Sequence, residues 1–192
     1  MTKLTLNIPI LAVLTLGALR AEETPKGWLH AGNRPKDYEM STDPKNARSG
    51  KTSAYLKCIV AEPSGFGTLM QAFKADAYRG KRLRMSGYAR TQEVADWSGF
   101  WMRVDGPNRE PLAFDNMEKR PIKGTSDWRH YEVVLEISPE ANEIAFGMLL
   151  SGKGRVWMDD LKFEVVGKDV PTTGENISPP PPSGPLNLDF EE

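Results

Sequence analysis

Apolar and polar residues alternate with a period of two along most of the chain, which is the pattern of β-strands with one face buried. Between residues 100 and 105, Phe100, Met102 and Val104 fall on one face, opposite Trp101 and Arg103. The same alternation predicts strands at 68–76, 82–90, 130–137 and 156–166, with a β-rich run at 54–60 and a hairpin return at 112–117. Residues 144–150 are apolar at nearly every position, so this strand is predicted to be buried on both faces.

Short strands separated by turns define the predicted fold class. Turn-forming residues lie between the apolar runs, for example at 105–108 and 151–154. No segment longer than a few turns carries an apolar stripe of helical period. We therefore predict an all-β fold, an antiparallel β-sandwich.

The first residues differ in composition from the middle of the chain. Residues 1–21 combine Lys3, an apolar stretch and Ala21 before a cleavage point, which is the pattern of a secretory signal peptide. The apolar stretch is broken at Pro9 and is shorter than the roughly 20 residues of a membrane span. We predict a secreted or periplasmic protein with no membrane attachment after cleavage, and an uncleaved anchor is the alternative.

The last residues also differ from the middle. A β-sandwich domain is predicted over 22–166, followed by a linker at 167–185 that is rich in proline and glycine. The segment 186–192 ends the chain, with Leu188 and Phe190 on one face of a short strand-like run. An apolar face at the end of a polar tail indicates that this segment packs against an apolar surface of the protein or of a second copy.

Charge and cysteine content exclude some classes of partner. The formal net charge is −1 and the charges are interspersed, so the basic patch that a nucleic-acid partner needs is lacking. The single cysteine, Cys58, cannot form an internal disulfide and is predicted to be a small core residue. A reactive nucleophile is the alternative for Cys58.

No catalytic motif is present, and we predict that the chain is not an enzyme. The two histidines, His30 and His130, do not lie in a metal-binding or nucleophile motif. A dispersed pair of carboxylates of the glycosidase kind stays open, because a sequence does not show which carboxylates meet in space.

Aromatic and planar polar residues cluster around the strand at 100–105. Trp97, Trp101 and Arg103 lie close together, and the return strand brings Asp115 and Asn116 near them. Indole rings offer flat apolar surfaces, and arginine, aspartate and asparagine offer directed hydrogen bonds. Sugars present both kinds of surface, so these five residues are predicted to contact a carbohydrate ligand.

Weaker candidates for ligand contact lie on the polar faces of neighbouring strands: Gln71, Arg84 and Tyr88. The structural alternative places Trp101 in the core and pairs Arg103 with Asp115 or Asp105. If Trp101 is a contact residue, Trp101→Ala should abolish binding with little effect on stability. The remaining tryptophans are predicted to serve core or rim packing: Trp28, Trp128 and Trp157.

Three short motifs resemble a known family. They are Gly-Trp-Leu-His-Ala-Gly at 27–32, Gly-Lys-Thr-Ser-Ala-Tyr at 50–55 and Val-Trp-Met-Asp-Asp-Leu at 156–161. Together they resemble jelly-roll carbohydrate-binding modules of the galactose-binding-like superfamily. The resemblance spans roughly residues 27–166 and implies a jelly-roll sandwich that binds sugar without catalysis.

The chain departs from that family at its start. In the family, a strand reading Asn-x-x-Phe-Glu opens the domain, whereas here the corresponding run stands at 187–191. We expect this C-terminal segment to complete an edge strand, either in its own domain or in a strand-swapped homodimer. The resemblance also implies a structural calcium ion held by Glu191, Asp160 and the loop near Lys51. A turn or an ion pair is the alternative role for Asp160.

The predicted function is that of a secreted, non-catalytic ligand-binding module, with a glycan or cell-envelope ligand on an exposed sheet face. An extracellular protein-interaction or sensory module is one alternative. A small polysaccharide-active lyase or hydrolase is the other.

Overall fold

A computed structural model describes residues 24–177, and the backbone alone is described at Glu175 and Asn176. A single turn of 3-10 helix, Pro35–Asp37, lies among β-strands. The strands, in chain order, are β1 Leu29–Gly32, β2 Tyr38–Asp43, β3 Ser53–Cys58, β4 Phe66–Lys74, β5 Arg82–Asp105, β6 Pro111–Asp115, β7 Ile122–Glu136, β8 Glu143–Ser151, β9 Arg155–Val166 and β10 Glu175–Asn176. Every strand pair in this range is antiparallel, so the predicted fold class is confirmed.

The long strand β5 belongs to both layers of the sandwich. Its first half, 82–92, pairs with β9 and β7, and β2 and β3 continue that layer beyond β9. Its second half, 97–105, pairs with β8 and β6, and β4, β1 and β10 complete that layer. We call these two layers the β9 sheet and the β8 sheet.

The continuity of β5 is a difference from the sequence-based prediction, which gave separate strands at 82–90 and 100–105. Between them the register with β7 shifts at three places, and Glu93 has a positive φ of 52°. These irregularities interrupt the period-two pattern without breaking the strand, because a bulge bends a strand and leaves it paired.

The hydrophobic core lies between the two sheets. Leu83, Met85 and Ala89 of β5 are buried there, and Phe146 of β8 meets Phe163 of β9 edge to face with ring centroids 4.8 Å apart. Each large apolar side chain buried in this way stabilises the fold by roughly 1.5–3 kcal/mol. The predicted core residue Cys58 is half-buried and packs against the edge of this core, with its Sγ 3.4 Å from the Val60 carbonyl oxygen.

Strand β8 is buried on both faces, as its uninterrupted apolar run predicts. All residues from Ile144 to Leu150 are buried. Ile144, Phe146 and Met148 face the core. Ala145 and Leu149, which point the other way, belong to a second apolar cluster on the outer face of the β8 sheet. The outer face of β8 is therefore covered by apolar side chains instead of facing solvent.

The packed part of the chain continues past residue 166, where the predicted linker starts. Arg82 donates a hydrogen bond to the Lys168 carbonyl oxygen at 2.8 Å, and Thr173 bonds to both Val134 and the carboxylate of Asp115. Strand β10 pairs with β6, and the Ile177 N–H donates to the Leu112 carbonyl oxygen. Proline-rich composition argues against regular structure but does not exclude packing, because side chains elsewhere can bind the free backbone groups.

Several predicted segments lie outside the described residues. They are the signal peptide at 1–21, the end of the linker at 178–185 and the strand-like segment 186–192. The predictions of secretion, of the completed edge strand and of the strand-swapped homodimer stay predictions. Across residues 24–177, no helix has the length and apolar character needed to cross a membrane.

Candidate functional site

An open cleft of about 500 Å³ lies on the outer face of the β8 sheet. Pockets of roughly 300–1,000 Å³ are usual for small-molecule ligands. Its apolar lining consists chiefly of Phe66, Met70, Trp97, Trp101, Phe114 and Leu149. Its polar lining includes Asn33, Arg103, Asn116 and Ser151. We refer to this feature as the cleft.

The period-two pattern of β5 places three of the predicted residues in the cleft. Trp97, Trp101 and Arg103 all line it, whereas Phe100 and Met102 lie in the core. The predicted separation of these two faces is therefore confirmed. Trp97 and Trp101 are four residues apart, so they share a face of the strand and their Cα atoms are roughly 13 Å apart along it.

Trp101 forms part of the floor of the cleft. Its side chain is packed with Ala145 and Leu149, and the residue is only 8% exposed. Its Nε1–H donates a 2.7 Å hydrogen bond to Thr68 Oγ1, and the Thr68 hydroxyl donates to the Met148 carbonyl oxygen. Because the indole is buried and bonded, Trp101→Ala is expected to destabilise the fold as well as the cleft, which corrects the small effect expected from the sequence.

Trp97 is the more accessible of the two indoles. It is half-buried and packs against the cluster of Trp101 and Leu149, with the rest of its surface open to the cleft. Trp97 is therefore better suited than Trp101 to meet a ligand directly and to be tested by substitution.

Arg103 is fixed in place by a bidentate ion pair with Asp105. Nε lies 2.8 Å from Oδ1 and Nη2 lies 2.8 Å from Oδ2 of Asp105, whose carboxylate is almost completely buried. This settles the partner of Arg103, which the sequence left open between Asp105 and Asp115. The Arg103 side chain is 45% exposed, and its Nη1 has no hydrogen-bond partner among the described residues.

Asp115 does not line the cleft, although its neighbour Asn116 does. Asp115 pairs across β6 and β5 with the core residue Met102 and is buried on that side. Its carboxylate accepts hydrogen bonds from Arg120, from Thr173 and from its own loop. Adjacent residues of a strand point to opposite faces, so Asp115 and Phe114 do not share the cleft.

The two asparagines of the cleft have fixed orientations. Asn33 Oδ1 accepts the Phe66 N–H at 2.8 Å, and Asn116 Oδ1 accepts the Glu118 N–H at 3.0 Å. Since each amide oxygen is turned toward a backbone donor, each Nδ2 group is left as the more available end.

Three further candidates from the sequence lie away from the cleft. Gln71 pairs with Phe146 on the core side of β4. Arg84 lies on the outer face of the β9 sheet and forms ion pairs with Glu132 and Glu164. Tyr88 lies on the same face, beneath the Arg48 guanidinium and edge to face with His130. Of the eight predicted contact residues, the structure brings together Trp97, Trp101, Arg103 and Asn116.

Packing roles were predicted for the other tryptophans, and the structure gives partners for two of them. Trp28 meets Phe146 edge to face at 5.5 Å between ring centroids. Trp157 is buried in the β9 sheet and donates from Nε1 to Asp43 Oδ2 at 2.8 Å. Trp128 is half-buried and does not line the cleft.

The cleft also contains residues that the sequence reasoning did not single out: Asn33, Phe66, Phe114, Leu149 and Ser151. Thr68 and Met70 share a face by alternation, and Phe66 continues that series one step earlier. The alternation of Phe66 with Thr68 and Met70 could therefore have been used to predict that Phe66 lies on the same face. The sequence does not show which face Leu149 lies on, because the residues around it are nearly all apolar.

The residues around Asp160 do not fit a calcium ion as arranged. Arg48 forms an ion pair with the Asp160 carboxylate, and the Ser49 hydroxyl donates to it at 2.5 Å. These contacts, the Ser49 hydrogen bond first, lower the pKa of Asp160. The loop before Lys51 does approach Asp160 as expected, but it presents a cation and hydrogen-bond donors where calcium needs oxygen ligands. Glu191, the other predicted ligand, lies outside the described residues.

Comparison with curated proteins gives a relative in sequence. No protein-family model matches the chain. Over 172 residues it is 45% identical to the uncharacterized HTH-type transcriptional regulator YbfP of Bacillus subtilis (strain 168), covering 89% of this chain and 58% of the regulator. The chain thus spans little more than half the length of that relative.

Several of the similar solved structures are carbohydrate-binding modules, and another is the enzymatically active domain of bacteriophage CBA120 tailspike protein 4, with a TM-score of 0.58 and 13% identity over 73% of this chain and 20% of that one. The CBM22-1 xylan-binding domain of Paenibacillus barcinonensis Xyn10C superposes with a TM-score of 0.56 and 14% identity, over 76% of this chain and 89% of that one. The C-terminal family 22 module of Clostridium thermocellum Xyn10B, whose cleft has conserved residues with a role in ligand binding, gives 0.52 and 14%, over 77% and 91%.

These similarities show the fold. The chain has the jelly-roll β-sandwich fold of carbohydrate-binding modules, and the resemblance stated from the sequence motifs is confirmed at that level.

Proposed function

We propose that the chain is a non-catalytic carbohydrate-binding module whose glycan ligand occupies the cleft. The observation that carries this proposal is the make-up of the cleft, with an accessible indole at Trp97 beside directed polar groups on Arg103 and Asn116. Sugar rings have apolar faces and hydroxyl-bearing edges, so a ring packs on the indole while its edge reaches the polar groups.

The lining of the cleft favours a role in binding over a role in glycoside hydrolysis. Glycoside hydrolysis normally needs two carboxyl groups on either side of the scissile bond. Among the described residues that line the cleft, none is aspartate or glutamate. The nearby Asp105 carboxylate is held on both oxygens by Arg103, which leaves it poorly placed to act on a sugar.

The first test is a binding measurement against a panel of soluble glycans. We expect at least one glycan to bind, and Trp97→Ala to weaken its binding by about tenfold or more, since aromatic anchors in a binding surface often contribute that much. Trp128→Ala is the matched control, because Trp128 is also half-buried but lies outside the cleft. A panel with no binder, or equal losses in the two variants, would contradict the proposal.

A sensory module is the second candidate, favoured by the name of the relative. YbfP is described as an HTH-type transcriptional regulator, and this chain matches 58% of it. In that case the cleft binds a small sugar or another effector, and binding of this effector changes the activity of a transcriptional regulator.

Localisation distinguishes the binding module from a regulator that works in the cytoplasm. For a secreted or periplasmic module, we expect mass spectrometry of the exported protein to show a new N-terminus close to residue 22. A cytoplasmic regulator would retain residues 1–21, whereas a sensory module on the outside of the cell would lose them like the binding module.

A further inference from the structure

We infer that the cleft selects an acidic glycan, one whose sugar carries a carboxylate, and this inference rests on the proposed function. The reasoning concerns which hydrogen-bonding atoms of the cleft are left over once the protein's own bonds are counted. Groups that are already engaged inside the protein contribute little to a ligand, whereas unengaged groups define what the ligand must supply.

Arg103 lines both the cleft and the groove beside it, and one of its guanidinium nitrogens is not used by Asp105. Nε and Nη2 are both taken by Asp105, and this bidentate pair fixes the plane of the guanidinium. Nη1 is the nitrogen left over among the described contacts, on a side chain that is nearly half exposed. Because Asp105 already fixes the guanidinium, Arg103 can bind a planar carboxylate with little further loss of side-chain conformational entropy.

Two more donor groups lie on the same surface. The amide oxygens of Asn33 and Asn116 accept backbone N–H groups, so their Nδ2 groups are the ends left for a ligand. Asn33 stands in the wall beyond β1, and Asn116 follows β6 on the opposite side of the sheet. Donors therefore occur on both sides of the cleft floor.

Among the side chains that line the cleft, hydrogen-bond acceptors are fewer than donors. The Thr68 hydroxyl is engaged twice, by Trp101 and Met148, and Ser151 donates its proton to Asp96, which leaves its oxygen as an acceptor. A neutral sugar hydroxyl is both a donor and an acceptor, so a cleft for neutral sugars needs acceptors for the hydroxyl protons. A carboxylate only accepts, and it matches a cleft that mainly donates.

The charge of Arg103 is partly balanced, which shapes the expected salt dependence. The Asp105 carboxylate neutralises the Arg103 guanidinium, and the adjoining groove is lined by one further cation, Arg109, and one further anion, Glu143. Selectivity then comes from directed, charge-assisted hydrogen bonds more than from a long-range positive field. We expect binding to weaken only modestly as salt is raised.

The test uses acidic oligosaccharides and their neutral counterparts. Oligogalacturonate, oligoalginate and glucuronoxylan fragments are each titrated beside the same material after reduction of the carboxyl groups. At least one acid form should bind about tenfold or more tightly than its reduced form, the difference expected for one charge-assisted hydrogen bond.

The role of Arg103 is tested with a double variant. Arg103→Gln alone leaves the buried Asp105 carboxylate unpaired and risks unfolding, so Arg103→Gln with Asp105→Asn removes both charges together. This variant should lose the preference for the acid form. The control is Arg79→Gln with Asp76→Asn, a pair of the same chemistry in an exposed turn outside the cleft, which should keep the preference.

Each other outcome has a distinct meaning. A reduced form that binds as tightly as its acid overturns the inference but leaves glycan binding in place. A preference that survives the Arg103 and Asp105 double variant also overturns it. If no acid or neutral glycan binds, the proposed function itself fails.

Discussion

Trp97 and Trp101 share one face of β5 but differ in how far each is tied into the protein. Trp101 is buried and donates to Thr68, while Trp97 is half-buried with part of its surface open. Substitution should therefore show whether the two tryptophans differ in role, with Trp101 serving packing and Trp97 serving the proposed ligand contact.

The expected effect of Trp101→Ala is a loss of about 3–5 kcal/mol in the free energy of unfolding, as for other buried large-to-small changes. Trp97→Ala should cost clearly less stability and yet reduce ligand binding. Urea unfolding of the two variants and the wild type measures the difference. Equal and small losses in both would show that Trp101 is not packed as described.

Tyr38 links stability to alkaline pH. Its hydroxyl donates to the Gly65 carbonyl oxygen at 2.5 Å, and burial raises the pKa of Tyr38 to about 12. Between its unfolded pKa near 10 and that value, the unfolded chain holds fewer protons, so the free energy of unfolding falls as pH rises. Below about pH 10, the contribution of Tyr38 to the free energy of unfolding is fully present.

The measurement compares wild type with Tyr38→Phe at several pH values. The stability advantage of the wild type over the variant should shrink by roughly 2 kcal/mol as pH rises from about 9 to about 12. Other groups titrate in both proteins and cancel in the difference. An advantage independent of pH would contradict the raised pKa.

At the scale of secondary-structure elements, local sequence patterns predicted β4, β5, β8 and β9, but β1, β2 and the first half of β7 were not predicted. The opposite faces of Trp101 and Met102 follow directly from the period-two alternation. The wall that Asn33 forms against Phe66 depends on pairing between β1 and β4, which no local pattern specifies. The inward direction of Asp115 follows from its place in β6, since only one of two adjacent strand residues faces the cleft.

The segment 167–177 behaves as part of the domain, which gives a prediction for truncation. Ending the chain after Val166 removes the contacts of Thr173 with Val134 and Asp115 and those of Lys168 with Arg82. Thermal unfolding should show a melting temperature lower by about 5–10 °C, given the usual scaling for a domain of this size. An unchanged melting temperature would show that this segment does not stabilise the sandwich.

A second truncation, after Ile177, isolates the segment with Leu188 and Phe190. If that segment completes an edge strand, this shorter deletion should lower the melting temperature as well. If it does not, the protein ending at Ile177 should melt like the full chain, and the hypothesis of a C-terminal edge strand would be wrong.

At the scale of the whole molecule, the calcium ion that the family resemblance implies stays a prediction, since Glu191 lies outside the described residues. Arg48 and Ser49 bind the Asp160 carboxylate, and residues 24–177 contain no cluster of metal-binding side chains. We expect the melting temperature to be the same with calcium and with a chelator. A clear drop on chelation, restored by calcium, would show that Asp160 and Glu191 form the site that the family resemblance implies.

Binding in the cleft is the central claim, and the five tryptophan indoles report on it directly. The measurement is an NMR titration of ¹⁵N-labelled protein with a glycan that binds. The account predicts that the indole N–H signals of Trp97 and Trp101 shift, while those of Trp128 and Trp157 stay in place. Shifts at Trp157 or Trp128 with Trp97 unchanged would contradict it and would place the ligand elsewhere on the protein.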